Sequence, residues 1–107
     1  MKLHALFATL ALGALASLAT APVHAQNTCA SFLCMAGKVQ GKDNVPGCEA
    51  PVQAFFSPTL YIYDHEGIDW PLTAANRERF LATCPGTSGT NACILAEIIA
   101  VYGKRAY

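Results

Sequence analysis

Charge is scarce in this 107-residue chain and carries no net sign: seven Lys+Arg stand against seven Asp+Glu, and charged residues are 13% of the whole. That balance excludes the basic footprint of a nucleic-acid binder and leaves no polybasic patch for a membrane surface. Histidine is nearly absent as well. His4 and His24 fall within the first 25 residues, so His65 is the one imidazole beyond them. A Cys/His nucleophile would need His65 beside Cys93, and nothing in the sequence places them together. No two of the five cysteines have two residues between them, so no redox or zinc motif is present. Phosphate loops, nucleophile elbows and dinucleotide fingerprints are missing too. Asp64, His65 and Glu66 are consecutive and run into Gly67, which reads as a solvated turn rather than a metal cluster. Spacing alone does not make Asp64, Glu66 and Asp69 a glycosidase pair; they read as surface charge. No catalytic residue, cofactor or metal is expected.

What is present begins at the N-terminus. Lys2 is followed by an apolar run over residues 3–18, and Val23 and Ala25 supply small residues at the two cleavage-determining positions. This is the pattern of a secretory signal peptide over residues 1–25, cut between Ala25 and Gln26. Lipid attachment at Cys29 is not expected, because Gln26, Asn27 and Thr28 do not form a lipoprotein signal. The remainder, residues 26–107, is a single small domain with six Lys+Arg against seven Asp+Glu, a formal charge of −1. Its one aliphatic stretch, residues 92–102, is too short to span a bilayer and contains Glu97. No stable membrane span is therefore expected after cleavage. The short leader and its Ala-x-Ala-like end point to the bacterial periplasm, where cysteines become candidate disulfides.

So short a chain buries little surface and commonly needs covalent staples. Residues 29–39 read as a helix capped by Thr28, with Phe32, Leu33, Met35 and Ala36 at helical spacing. Gly41, Asp43, Asn44, Pro46 and Gly47 make residues 40–47 a loop. A second helix is expected over residues 49–56, with Pro51 in its first turn and Ser57-Pro58 as its stop. Residues 60–63 are β-branched and aromatic, fitting a short strand or an extended loop. Tyr61, Tyr63, Trp70 and Tyr107 offer aromatic area, with Tyr61 and Trp70 assigned to the core. A third helix is expected from Thr73 as N-cap, with Asn76 completing a weak capping box. Phe80, Leu81 and Cys84 share its inner face, while Arg77, Glu78 and Arg79 are read as mostly solvated. Asn91 caps a fourth helix over residues 92–102, which Gly103 ends. The fold class is all-α: a small disulfide-stapled bundle of three or four short helices with an irregular middle segment.

In a helix, Cys29 and Cys34 lie about 140° apart around the axis and about 7.5 Å apart along it, so they should not pair. A short loop makes the first two helices antiparallel and brings Cys34 to Cys48. Cys84 then reaches Cys29, with Cys93 competing for it through a short loop. Two bridges leave one thiol over, and Cys93 is the expected free one. The terminal helix carries a broad apolar face of Ile94, Leu95, Ile98, Ile99, Val101 and Tyr102. Two readings stand: burial under Phe55, Phe56 and Phe80, or an interface formed by Ile94, Leu95, Ile98, Ile99 and Tyr102. In the second, Cys93 forms an intermolecular bridge.

With these residues in place, the chain resembles the TrbM/KikA family of bacterial conjugal-transfer proteins. The run starts at Cys29-Ala30-Ser31-Phe32-Leu33-Cys34-Met35-Ala36-Gly37 and continues through Gly47-Cys48 and Phe55-Phe56-Ser57. It then passes Arg77-Glu78-Arg79-Phe80-Leu81 into Cys84-Pro85-Gly86. The family's four-cysteine pattern maps onto Cys29, Cys34, Cys48 and Cys84; Cys93 and the terminal helix lie outside it. The resemblance implies an exported accessory of a conjugative type IV secretion system, working on another protein and without enzymatic activity. A small secreted toxin or growth-inhibitory effector is the alternative, since KikA-like members are linked to killing of certain hosts.

Overall fold

The computed structural model describes residues 22–107, with side chains from Thr28 onward. The leader expected over residues 1–25 lies almost wholly outside the described residues. Four helices carry the fold: α1 (Pro22–Val39), α2 (Glu49–Phe55), α3 (Trp70–Ala82) and α4 (Ala92–Tyr102). Between α2 and α3 run a 3-10 turn at Pro58–Leu60 and a hairpin of β1 (Tyr63–Asp64) and β2 (Gly67–Ile68). The two-strand hairpin is antiparallel, with Tyr63 opposite Ile68 and Asp64 opposite Gly67. The class is the helical, disulfide-stapled bundle that the sequence implies.

One core joins the helices. Phe32, Met35 and Ala36 enter from α1, Val52 and Phe55 from α2 with Phe56 just after it, Leu81 from α3, and Leu95 and Ile98 from α4. Leu33 does not follow its neighbours: it is 68% exposed, because it points away from the face that Phe32, Met35 and Ala36 share. Buried Ser31 adds a polar tie between α1 and α2, its hydroxyl donating to the Pro51 carbonyl at 2.7 Å.

Both helix starts expected from threonines are corrected. Among the described residues helix α1 is already formed at Pro22, which puts Thr28 inside it and buried rather than at its cap. Helix α3 begins at Trp70, one turn before Thr73, and Asp69 is its N-cap. The Asp69 carboxylate accepts from the Leu72 amide at 3.0 Å, and Pro71 sits in the first turn, where a missing N–H costs nothing. Thr73, freed from capping, is fully buried and accepts the Ile62 amide through Oγ1 at 3.0 Å. Asn76 likewise builds no capping box; its Nδ2 donates to the Leu60 carbonyl at 3.0 Å. Together these two side chains hold the extended segment before the hairpin against α3.

The ends of the last two helices also have identifiable causes. Thr87, buried, donates its hydroxyl to the Cys84 carbonyl at 2.9 Å, closing the turn after α3. Asn91 occupies the N-cap position of α4 without making a side-chain cap bond, so its predicted role is not filled. Gly103 follows α4 as expected but not in a left-handed conformation, since its φ is −61°. Its reason is space: a Cβ there would stand 2.5 Å from the Ile99 carbonyl oxygen and 3.0 Å from the Ala74 Cβ. Helices α3 and α4 thus meet at a point where only hydrogen fits.

Candidate functional site

Helix α1 carries both staples. Cys34 joins Cys48 with their Cα atoms 5.6 Å apart, and Cys29 joins Cys84 with theirs 4.8 Å apart. These are the pairs reached from helix geometry, and the competing Cys84–Cys93 bridge does not form. Cys93 is free and exposed in the first turn of α4. Two closed disulfides belong to an oxidising, extracytoplasmic environment. Among the described residues, no helix is long and apolar enough to cross a membrane.

Helix α4 contributes its apolar face to the core. Leu95 and Ile98 are buried, and Ile94, Ile99 and Tyr102 pack partly buried against the same cluster. Of the apolar stripe only Val101 is substantially exposed, at 40%. Of the residues weighed for a docking surface, Leu95 and Ile98 are taken up by the core, while Ile94, Ile99 and Tyr102 are half-buried at its edge.

The feature that sequence reading missed is Arg77. Expected in solvent, it is fully buried, the largest such side chain among the described residues. Its guanidinium carbon lies 5.0 Å from the Phe56 ring centroid, 5.2 Å from Phe55, 5.5 Å from Tyr61 and 5.8 Å from Trp70. Tyr61 and Trp70, assigned to the core, are half-buried and form two walls of this cage. Arginine suits it because a planar, weakly hydrated cation stacks on aromatic faces where an ammonium would not.

One nitrogen, Nη1, donates to three carbonyls: Tyr102 at 2.9 Å, Gly103 at 3.0 Å and Arg105 at 2.6 Å. The first two are carbonyls at the C-terminus of α4, which have no partner within the helix. The positive charge also meets the negative end of that helix dipole. Arg77 therefore acts as a C-cap supplied across the bundle by α3. Nε and Nη2 are buried without a hydrogen-bond acceptor and sit among the rings. Burial lowers the guanidinium pKa below its ordinary value, and the Tyr61 phenol pulls it partly back. An arginine nonetheless stays protonated at any pH the protein meets.

The segment after Gly103 folds back over α2. The Tyr107 ring meets Phe56 edge-on at 5.0 Å, and Tyr102 meets the same ring at 6.1 Å. On the outer side, Tyr102 lies between two cations, with Arg105 at 5.0 Å and Lys38 Nζ at 5.7 Å from its centroid. These side chains line an open cleft of about 160 Å³ with Phe56, Ala106 and Tyr107, and no carboxylate side chain is in its lining. Lys38 also pairs with Asp43 at 3.1 Å.

At the hairpin, Asp64 Oδ1 accepts the Glu66 amide at 2.8 Å, an Asx turn across the two-residue tip. Gly67, at φ +120°, supplies a conformation that side-chain-bearing residues rarely adopt. Asp64, His65 and Glu66 are all exposed there, as the turn reading has it. Among the described residues, no three His, Cys, Asp or Glu side chains come together as a metal site. No family model, curated protein or solved structure matches this chain.

Proposed function

We propose that the protein is an exported, periplasmic accessory of a conjugative type IV secretion system and acts by contact with another protein. The observation that carries this reading is the stapling of Cys29 to Cys84 and Cys34 to Cys48. Those are the four positions of the conjugal-transfer pattern the sequence resembles. The leader-like N-terminus supports export, and the oxidised cysteines support a destination beyond the cytoplasm. Contact is favoured over chemistry because the largest buried polar group, Arg77, is committed to holding the C-terminal segment.

The test is deletion of the gene from its parent element, followed by measurement of plasmid transfer and complementation with and without residues 1–25. Loss of transfer that only the exported form restores is expected. Mass spectrometry of the complementing protein should give an N-terminus at Gln26. Unchanged transfer would overturn the accessory role. Growth arrest that requires export, with transfer intact, would instead mark an inhibitory effector.

A further inference from the structure

The molecule separates its charges. No Lys or Arg occurs between Asp43 and Asn76, a stretch holding five of the seven acids: Asp43, Glu49, Asp64, Glu66 and Asp69. Asp69 is used as a helix cap, and Asp43 is paired with Lys38. The hairpin tip is left with exposed carboxylates at Asp64 and Glu66 beside Tyr63, which is 63% exposed. The C-terminal cleft has the opposite character. Arg105 and the half-buried Lys38, which keeps Asp43 as its partner, flank Tyr102; Lys104 adds an exposed cation in the adjoining segment, and the lining holds no carboxylate side chain. Among the described residues, Arg105 has no ion-pair partner.

We infer that the cleft receives the β1–β2 hairpin of a second copy of this chain. Size selects such an occupant. A space of about 160 Å³ admits one carboxylate side chain and the edge of a ring, less than the pockets that enclose whole small-molecule ligands. A two-residue tip is narrow enough to deliver that side chain. Glu66 pairs with Arg105, the cleft cation that has no ion-pair partner among the described residues, and Tyr63 packs near Tyr102 and Tyr107, where ring edges and faces pair favourably. The hairpin cannot serve its own cleft, since no hairpin residue lines it. The contact joins two different patches, so it is head-to-tail and extends into chains unless the rotation closes a ring. It is a property of the folded domain and holds whether or not the protein serves conjugation.

Sedimentation of the oxidised chain carrying Cys93→Ser, across a concentration series, tests this without thiol cross-linking. Weight-average mass should rise with concentration at about 0.01 M salt and fall to monomer at about 1 M, as the Debye length shrinks from roughly 30 Å to roughly 3 Å. Arg105→Glu or Glu66→Lys alone should weaken association by about tenfold or more, the scale of one lost charge pair. Mixing the two single variants restores complementarity at both contacts and should restore association. So should both substitutions in one chain, which also shows that neither merely damages the fold. A monomer at every concentration overturns the inference. So does association that ignores salt, or a double variant no better than the singles.

Discussion

Replacing Arg77 isolates what a buried cation contributes to so small a fold. Arg77→Ala removes two N–H groups shared among three carbonyls, each charge-assisted bond contributing about 1.5–3 kcal/mol net. It also leaves a cavity among Phe55, Phe56, Tyr61 and Trp70, a change that costs roughly 2–5 kcal/mol for large-to-small substitutions. Against these stands the desolvation that the guanidinium no longer suffers, several kcal/mol for a buried ion. The released carbonyls lie beside the exposed residues Lys104 and Arg105 and can recover water. The net expectation is a loss of about 3–5 kcal/mol for alanine. Arg77→Met keeps the volume and should lose about half as much, since the carbonyl bonds and ring attraction disappear, partly offset by the relieved desolvation, but no cavity forms. Urea unfolding with both disulfides intact measures this, read by fluorescence of Trp70, the chain's one tryptophan and a wall of the cage. Hydrogen exchange should show faster exchange after Gly103 in the methionine variant. A methionine variant as stable as the parent would refute the reasoning, because the guanidinium bonds would then yield no net stability over their desolvation cost.

The two staples should differ in worth. Removing the Cys34–Cys48 bridge by a double Ala substitution should cost about 3 kcal/mol, and removing Cys29–Cys84 about 4 kcal/mol, as the closed loops lengthen from 14 to 55 residues; denaturant midpoints of the two variants rank them. Gly103→Ala should destabilise by about 1–3 kcal/mol through overpacking against Ile99 and Ala74, measurable as a lowered melting temperature. Thiol labelling of the native oxidised protein should modify one cysteine, Cys93, and all five after denaturation and reduction.

Local rules made much of the scaffold legible. Helix α2 was readable because Pro51 fixes its first turn and Ser57-Pro58 its end; α4 was readable because an apolar stripe runs between Asn91 and Gly103. The bridges followed from the angular offset of Cys29 and Cys34 and a short loop to Cys48. The misreadings share one origin. Thr73 looks like a cap, but Asp69 two residues before Pro71 wins the helix start, and Thr73 is drawn into a buried bond with Ile62. Arg77 lies four residues before Leu81 and seven before Cys84, so helical spacing puts it on the inner face and leaves Arg79 off it; a charged residue type is what makes Arg77 read as solvated. Its burial depends on rings from α2 and the hairpin segment and on carbonyls 25 to 28 residues away. Those partners are tertiary, so spacing could place Arg77 on the inner face but could not reveal what compensates its charge there. The cation-lined cleft is likewise assembled from α1 and the folded-back C-terminal segment, which are far apart in sequence.

The disulfides are nested: the bridge spanning 14 residues lies wholly inside the one spanning 55. Loop length favours the inner bridge. Closing the shorter loop is favoured by about 1.2 kcal/mol, roughly eightfold in the population of closed chains, before any native contact forms. The first two thiols along the described chain, Cys29 and Cys34, are not partners, so an oxidant that joins neighbours in sequence makes the wrong bond. Formation of helix α1 prevents that error by turning the two sulfurs away from each other. Helix α1 alone is thus enough to disfavour the wrong bond, before the core adds its own preference for the nested pair.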